Sequence, residues 1–298
     1  MRYRIRHTTT CDYTADIQHA QHVLHLNPRP LPWQTMHLNQ IKIEPQPETL
    51  VEHVDYFGNP VTYIALETPH RKLAVRVDFE VDVAPNTPFD LSASLPWEQV
   101  RDEVKAGTTP GGQQASLFVF ASVMVPPLPA LAEYAAPSFT PGRPIGEAAF
   151  DLICRIHKDF VFDPVATNIA TPLGEVLANK RGVCQDFAHL AIGCLRAMHL
   201  SARYVSGYLR TVPPPGQERL VGADATHAWI SVWCGNDFWL DLDPTNGMRG
   251  STDMITLGWG RDYDDVSPMR GVLIGGGSQE LKVEVDVEPL DEVEAKSR

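Results

Sequence analysis

Arg181-Gly182-Val183-Cys184-Gln185-Asp186-Phe187-Ala188-His189 stands between two helical patterns. Asn179-Lys180-Arg181 ends the first, Gly182 reads as its stop, and Cys184 opens the second. From Cys184 the apolar residues recur at Phe187, Ala188, Ala191, Cys194, Leu195 and Met198, the spacing of one helix stripe. The thiol is therefore expected at a helix N-terminus, on the face turned to the core. Backbone N–H groups without intrahelical acceptors and the positive dipole end favour a thiolate there. The same N–H groups can hold an oxyanion.

Upstream, Thr171 reads as an N-cap and Pro172 as the first position of a helix running through Leu173, Val176 and Leu177. Before it, Ala149, Leu152, Ile153, Ile156 and Phe160 form another stripe, with Cys154 beside it. Residues 125–144 carry six prolines and read as a linker or a segment draped over a surface. The residues up to about 125 read as β structure. Leu73, Val75, Val77, Phe79, Val81 and Val83 alternate with charged residues, and shorter strands are expected over Arg2–Thr8, His22–Leu26, Met36–Ile43, Thr49–Tyr56 and Val61–Leu66. Short strands separated by turns suggest an antiparallel sandwich. His7, His19, His22, His25 and His37 match no compact metal site and read as scattered surface or half-buried side chains.

Downstream, Ala202–Leu209 reads as a strand, followed by a loop with Pro213-Pro214-Pro215-Gly216 and a hairpin over Thr226–Thr245. If Gly235-Asn236-Asp237 is a three-residue loop, opposed residue numbers sum to 472, and Trp229 faces Asp243. His227 and Asp243 then share a sheet face as diagonal neighbours. A two-residue loop would put them on opposite faces. Asp241 shares the face but lies one pair further from His227. Cys184, His227 and Asp243 thus supply a thiol, an imidazole to take its proton and a carboxylate to fix the tautomer. Leu281, Val283, Val285 and Val287 give one more strand. Gly275-Gly276-Gly277 lacks the Lys-Ser/Thr of a phosphate loop and reads as a turn, and the tail from Asp291 reads as frayed.

Hydrophobic content of 43% and charged content of 21% describe a soluble globular chain of 298 residues. A net charge of −12 argues against nucleic acid or an anionic membrane as partner. Homo-oligomer formation is left open. No signal-peptide pattern or membrane-spanning run is visible, and the five scattered cysteines suggest neither a disulfide framework nor zinc. A cytoplasmic location fits, with no metal or cofactor expected.

Four segments together resemble the bacterial transglutaminase-like superfamily: Arg181–His189, Ala202-Arg203-Tyr204-Val205-Ser206-Gly207-Tyr208, Thr226-His227-Ala228-Trp229 and Asp243-Pro244-Thr245-Asn246. Arg6-His7-Thr8-Thr9-Thr10 and Asp55-Tyr56-Phe57-Gly58-Asn59 look like the β-sandwich domain that precedes such cores. The stretch 260–268 resembles the segment that closes them. The resemblance implies an α+β chain: an N-terminal antiparallel β-sandwich over 1–125, a papain-like transglutaminase core with helices packed on an antiparallel sheet over 126–272, and a C-terminal strand and tail over 273–298. It also implies Cys184 as nucleophile, His227 as base and Asp243 as its orienting group.

For the oxyanion, the Cys184 N–H is the first donor expected, with Tyr208 or Gln185 as side-chain candidates. Packing beside Gly207 is the competing role for Tyr208. Asp186 can bind an amine substrate or, more economically, cap its own helix, and His189 lies off the thiol's face. Trp229, Trp233 and Trp239 wall a cleft or, more economically, fill the core. The expected reaction is acyl transfer on a peptide or protein amide through a thioester, resolved by water as in a peptidase or amidase. The alternatives are a transglutaminase passing the acyl group to an amine, or a catalytically silent binding module. A metal-dependent hydrolase lacks the His-x-x-x-His or His-Glu-x-x-His spacing.

Overall fold

The computed structural model describes residues 1–85, 89–211 and 226–290; the proline loop at 213–216 and the tail from Asp291 lie outside the described residues. The alternating run seen in the sequence is strand β5 (His70–Val83), and its Leu73, Val75, Val77, Phe79 and Val81 are fully buried. Each such side chain contributes roughly 1.5–3 kcal/mol relative to exposure. β5 pairs antiparallel with β1 (Arg2–Leu24) and β2 (Gln34–Glu44). β3 (Thr49–Val54) and β4 (Pro60–Leu66) complete the N-terminal strands.

β1 is one 23-residue strand, where two separate short strands were expected. Its first half lies between β5 and β14 (Gln279–Pro289), its second half between β4 and β13 (Met269–Gly275), with the register breaking around Ile17. Both halves feed one apolar core, which makes the sheet a sandwich folded about its longest strand. The C-terminal strands therefore close the N-terminal sheet.

The β reading of the first 125 residues fails after Val83. α1 (Trp97–Ala106) and α2 (Pro110–Ser116) are helices, and Trp97, Val100, Val104 and Ala115 are buried in the second core. The proline-rich stretch is also more ordered in structure than a linker: Pro129 starts α3 (Pro129–Ala135), whose Leu131 and Ala135 are buried in that core. α4 (Ile145–Asp159), β6 (Val161–Phe162), α5 (Leu173–Asn179), β7 (Arg181–Gly182) and α6 (Cys184–Ala197) follow. α6 is buried from Asp186 to Arg196. It packs on a five-stranded antiparallel sheet, whose strands are β8 (Ala202–Leu209), β9 (Thr226–Trp233), β10 (Trp239–Asp243), β11 (Met248–Arg249) and β12 (Met254–Gly260), in the order β11-β10-β9-β8-β12.

The two cores meet along β12. Tyr208, Ile255 and Leu257 are buried in the sandwich core. Asn59, in the turn expected at 57–60, accepts from Trp259 N–H at 2.9 Å and donates to its carbonyl at 2.8 Å. Gln34 makes the same two-way bond with Thr256. Such paired bonds fix the sandwich in one register against the five-stranded sheet. No helix among the described residues is long and apolar enough to cross a membrane.

Candidate active site

The helix-stop expectation at Gly182 needs correction. α5 ends at Lys180, which takes the left-handed conformation (φ 52°, ψ 38°) itself, and Pro172, one residue past the expected Thr171, is its N-cap. Gly182 serves another purpose. A β-carbon there would stand 2.6 Å from Asp186 Oδ2, so only glycine lets this carboxylate fold back over the chain. Asp186 Oδ2 accepts from Val183 N–H at 2.8 Å and from Thr167 Oγ1 at 2.6 Å. It caps its own helix, as the sequence suggested, and fixes the backbone immediately before Cys184. The N–H groups of Cys184 and Gln185 lie in the first turn, where no intrahelical acceptor exists.

The hairpin has the expected register: Trp233 opposes Trp239, Ser231 opposes Asp241 and Ile230 opposes Leu242. Gly235, Asn236 and Asp237 form its loop, all at positive φ, and Cys234 N–H donates to Phe238 O at 2.9 Å. The consequence is the contact between His227 Nε2 and Asp243 Oδ2 at 2.8 Å. Asp243 is fully buried. Its Oδ1 accepts from the N–H groups of Thr245 (2.8 Å) and Asn246 (3.2 Å), and its Oδ2 also accepts from Asn246 Nδ2 at 2.7 Å. Burial pushes the Asp243 carboxyl up, but these bonds, led by the one to His227, hold it below the ordinary value. Burial likewise lowers His227, and the bonds to Asp243 and to the Cys184 side chain outweigh it, raising the imidazole to about 10.

The remaining candidates separate. Gln185 is half-buried and borders a cleft of about 390 Å³ beside the helix start, shared with Ile169, Leu128 and His189. His189 is buried, accepts from Tyr263 N–H at 3.1 Å, and is lowered by burial to about 4, a structural role. Trp229 and Trp233 are buried core residues, while Trp239 is half-buried. The Trp229 ring lies nearly parallel to His227 with centroids 6.3 Å apart. Its Nε1 is buried without a hydrogen-bond partner among the described residues. A β-carbon at Gly207 would meet the Ile255 carbonyl oxygen of β12 and, at 2.5 Å, the Trp229 ring, so the glycine makes room for the neighbouring strand and for the indole.

Tyr208 does not reach the site. Gly207 pairs with His227, so Tyr208 points to the other face, where its hydroxyl meets His7 Nδ1 at 2.7 Å inside the sandwich core. His7, His22 and His25 are buried, against the expectation of scattered surface or half-buried histidines. Two residues of the site carried no expectation of their own. Asn246 clamps Asp243, and the Asp-Pro-Thr-Asn turn was the available signal. Tyr204 lies within electrostatic reach of Cys184; burial first, and negative charge on Cys184 second, hold its hydroxyl protonated.

Comparison with known proteins bears on this geometry. Residues 3–82 match the profile of the bacterial transglutaminase-like N-terminal region, and residues 133–244 that of the transglutaminase-like superfamily. An "Uncharacterized protein" of Mycobacterium tuberculosis (strain ATCC 25618 / H37Rv) is 42% identical over 97% of this chain and 93% of its own. A Mycobacterium leprae protein of the same description is 30% identical over 97% and 99%. The "Protein-glutamine gamma-glutamyltransferase" of Pseudomonas aeruginosa matches 32% of this chain and 15% of its own at 30% identity. Among solved structures, the "Putative Cysteine Protease from Cytophaga hutchinsonii" superposes with a TM-score of 0.75 over 96% of this chain and 90% of that one, at 18% identity, a likeness of fold. The chain belongs to the bacterial transglutaminase-like superfamily, a family of cysteine-dependent enzymes, with its N-terminal β-rich region and its core both present.

Proposed function

We propose that this protein is a cysteine-dependent amidase or peptidase working through Cys184, His227 and Asp243. The observation that carries the reading is the His227 imidazole, bonded through Nε2 to a buried carboxylate and raised in part by its interaction with the Cys184 side chain. With Nε2 committed to Asp243, Nδ1 is the nitrogen that exchanges a proton with the thiol. Cys184 Sγ attacks the amide carbon as His227 takes its proton. The C–N bond breaks as His227 passes that proton to the departing amine, leaving a thioester. Water then attacks, His227 takes its proton, and Sγ departs as the acid is released. N–H groups in the first turn of α6 suit the oxyanion, and the protonated Tyr204 hydroxyl takes the side-chain donor role first expected of Tyr208.

Iodoacetamide labelling followed by mass spectrometry tests the reading. Cys184 is expected to react rapidly at pH 6–7, and His227→Ala to slow it about tenfold or more. Cys184→Ala should abolish peptide-amide turnover with the fold intact, and equal labelling rates or retained turnover would refute the assignment. A product amide formed when a primary amine is added would instead establish transfer.

A further inference from the structure

Two arginines of the catalytic core are 7% exposed, and the protein treats them differently. Arg196 donates four hydrogen bonds, to Phe118 O, Ser122 Oγ, Ala202 O and Arg261 O, at 2.6–3.1 Å. Arg203, on β8, donates none among the described residues, and its Nε is fully buried without a partner. Burial lowers its pKa to about 9, which leaves it a cation at neutral pH. Burying a cation without hydrogen bonds is costly, and a core that satisfies Arg196 fully has the means to satisfy Arg203.

Beyond the electrostatic attraction of Asp241, Arg203 is held by its faces. Its guanidinium carbon lies 3.6 Å from the Trp259 ring centroid and 4.2 Å from that of Trp239. Arg29 also stands 3.6 Å from Trp259. Two guanidinium groups cannot share one ring face at that distance, so Arg29 and Arg203 flank the indole. Cation–π stacking occupies the faces of a planar cation and leaves its N–H edge unfilled. Arg203 lines a cleft of about 240 Å³ with Trp33, Phe238, Trp239, Asp241 and Arg249. Phe89 stacks on Phe238 with centroids 4.3 Å apart, and its carbonyl holds Arg249 Nη2 at 2.8 Å.

The cleft is not the thiol site. Arg203 pairs with Ser231, whereas His227 pairs with Gly207, four residues along β8 and about 13 Å away at ~3.3 Å per residue. The fully buried Trp229 lies between them. Asp241 on the wall disfavours a polyanion, and a guanidinium edge matches a carboxylate in a bidentate fork. Aromatic walls suit an apolar group beside it. We propose that the Arg203 cleft binds a small organic monocarboxylate bearing an aromatic or other apolar group, at a site separate from Cys184.

The test is titration of the full chain, by calorimetry and by tryptophan fluorescence, with phenylacetate and its neutral isostere phenylacetamide. Phenylacetate should bind saturably, phenylacetamide about tenfold or more weakly, and Arg203→Met should erase the difference. Alkylation of Cys184 should leave binding unchanged. Equal affinity for acid and amide, no saturable binding at millimolar concentration, unchanged affinity in the variant, or loss on alkylation would each overturn the proposal. Should Arg203→Met not fold, the acid–amide comparison on the wild-type chain decides alone.

Discussion

Asn246 Nδ2 donates to Asp243 Oδ2 at 2.7 Å, the same oxygen that contacts His227 Nε2 at 2.8 Å. With the backbone N–H groups of Thr245 and Asn246 on Oδ1, the carboxylate is held as an anion at zero exposure. Neither oxygen is free to rotate away. Asp243→Asn would give the imidazole the wrong tautomer, and kcat on a peptide amide is expected to fall by about 10³–10⁴. Asn246→Ala removes one charge-assisted bond and should cost about 10–100-fold. A D243N enzyme within tenfold of wild type would show that His227 needs no orienting carboxylate.

Gly182 and Asp186 make a second, indirect test of the helix start. In Gly182→Ala the added methyl meets the Asp186 carboxylate at 2.6 Å, so the cap must move or the chain before Cys184 must. Overpacking of this kind costs about 1–3 kcal/mol. Denaturant unfolding should report that loss, with slower Cys184 labelling even where the fold survives. Unchanged labelling would mean that the cap does not control the thiol's backbone.

The helix that carries Cys184 and the hairpin that joins His227 to Asp243 were legible because each depends on local spacing. Apolar period fixes the helix, and loop length fixes the register. β1 was legible only in pieces. His7 and Thr9 occupy inward positions between Ile5 and Cys11, so the buried face does not read as apolar. α1 was missed although Trp97, Val100 and Val104 carry a helical stripe; α2, with Pro110-Gly111-Gly112, has no such pattern and is held by tertiary packing. Strand parity did not separate Tyr208 from Tyr204, which share one face of β8; what takes Tyr208 away is its hydroxyl bond to His7 in the sandwich core, a contact 201 residues away in sequence. Arg203 gave no signal, because its stacking partners lie 36 and 56 residues away in sequence.

The two tyrosines of β8 should therefore respond in opposite ways. Tyr208→Phe breaks the bond to His7 in the sandwich core and should cost about 1 kcal/mol of stability with kcat unchanged. Tyr204→Phe removes the protonated hydroxyl near Cys184 and should lower kcat by about 10²–10³ with little change in stability. Reversed effects in the paired measurements would return the donor role to Tyr208.

The buried histidines give stability a dependence on pH with two limbs. His7 and His189 are lowered to about 4 by burial, below the unfolded value of ~6.5. Between those values the unfolded chain binds more protons, so stability falls as pH drops from about 6.5 toward 4. His227 has the opposite sign. Raised to about 10, it holds its proton in the folded state after the unfolded chain has lost it. Its contribution is complete below ~6.5 and disappears as pH rises through about 10. Urea midpoints of wild type and His227→Ala, measured from pH 4 to 10, should therefore converge at the alkaline end, while the acid limb persists in the variant. A wild-type advantage that stayed constant to pH 10 would mean that His227 is neutral when folded, and that the imidazole is not charged by its contacts with Asp243 and Cys184.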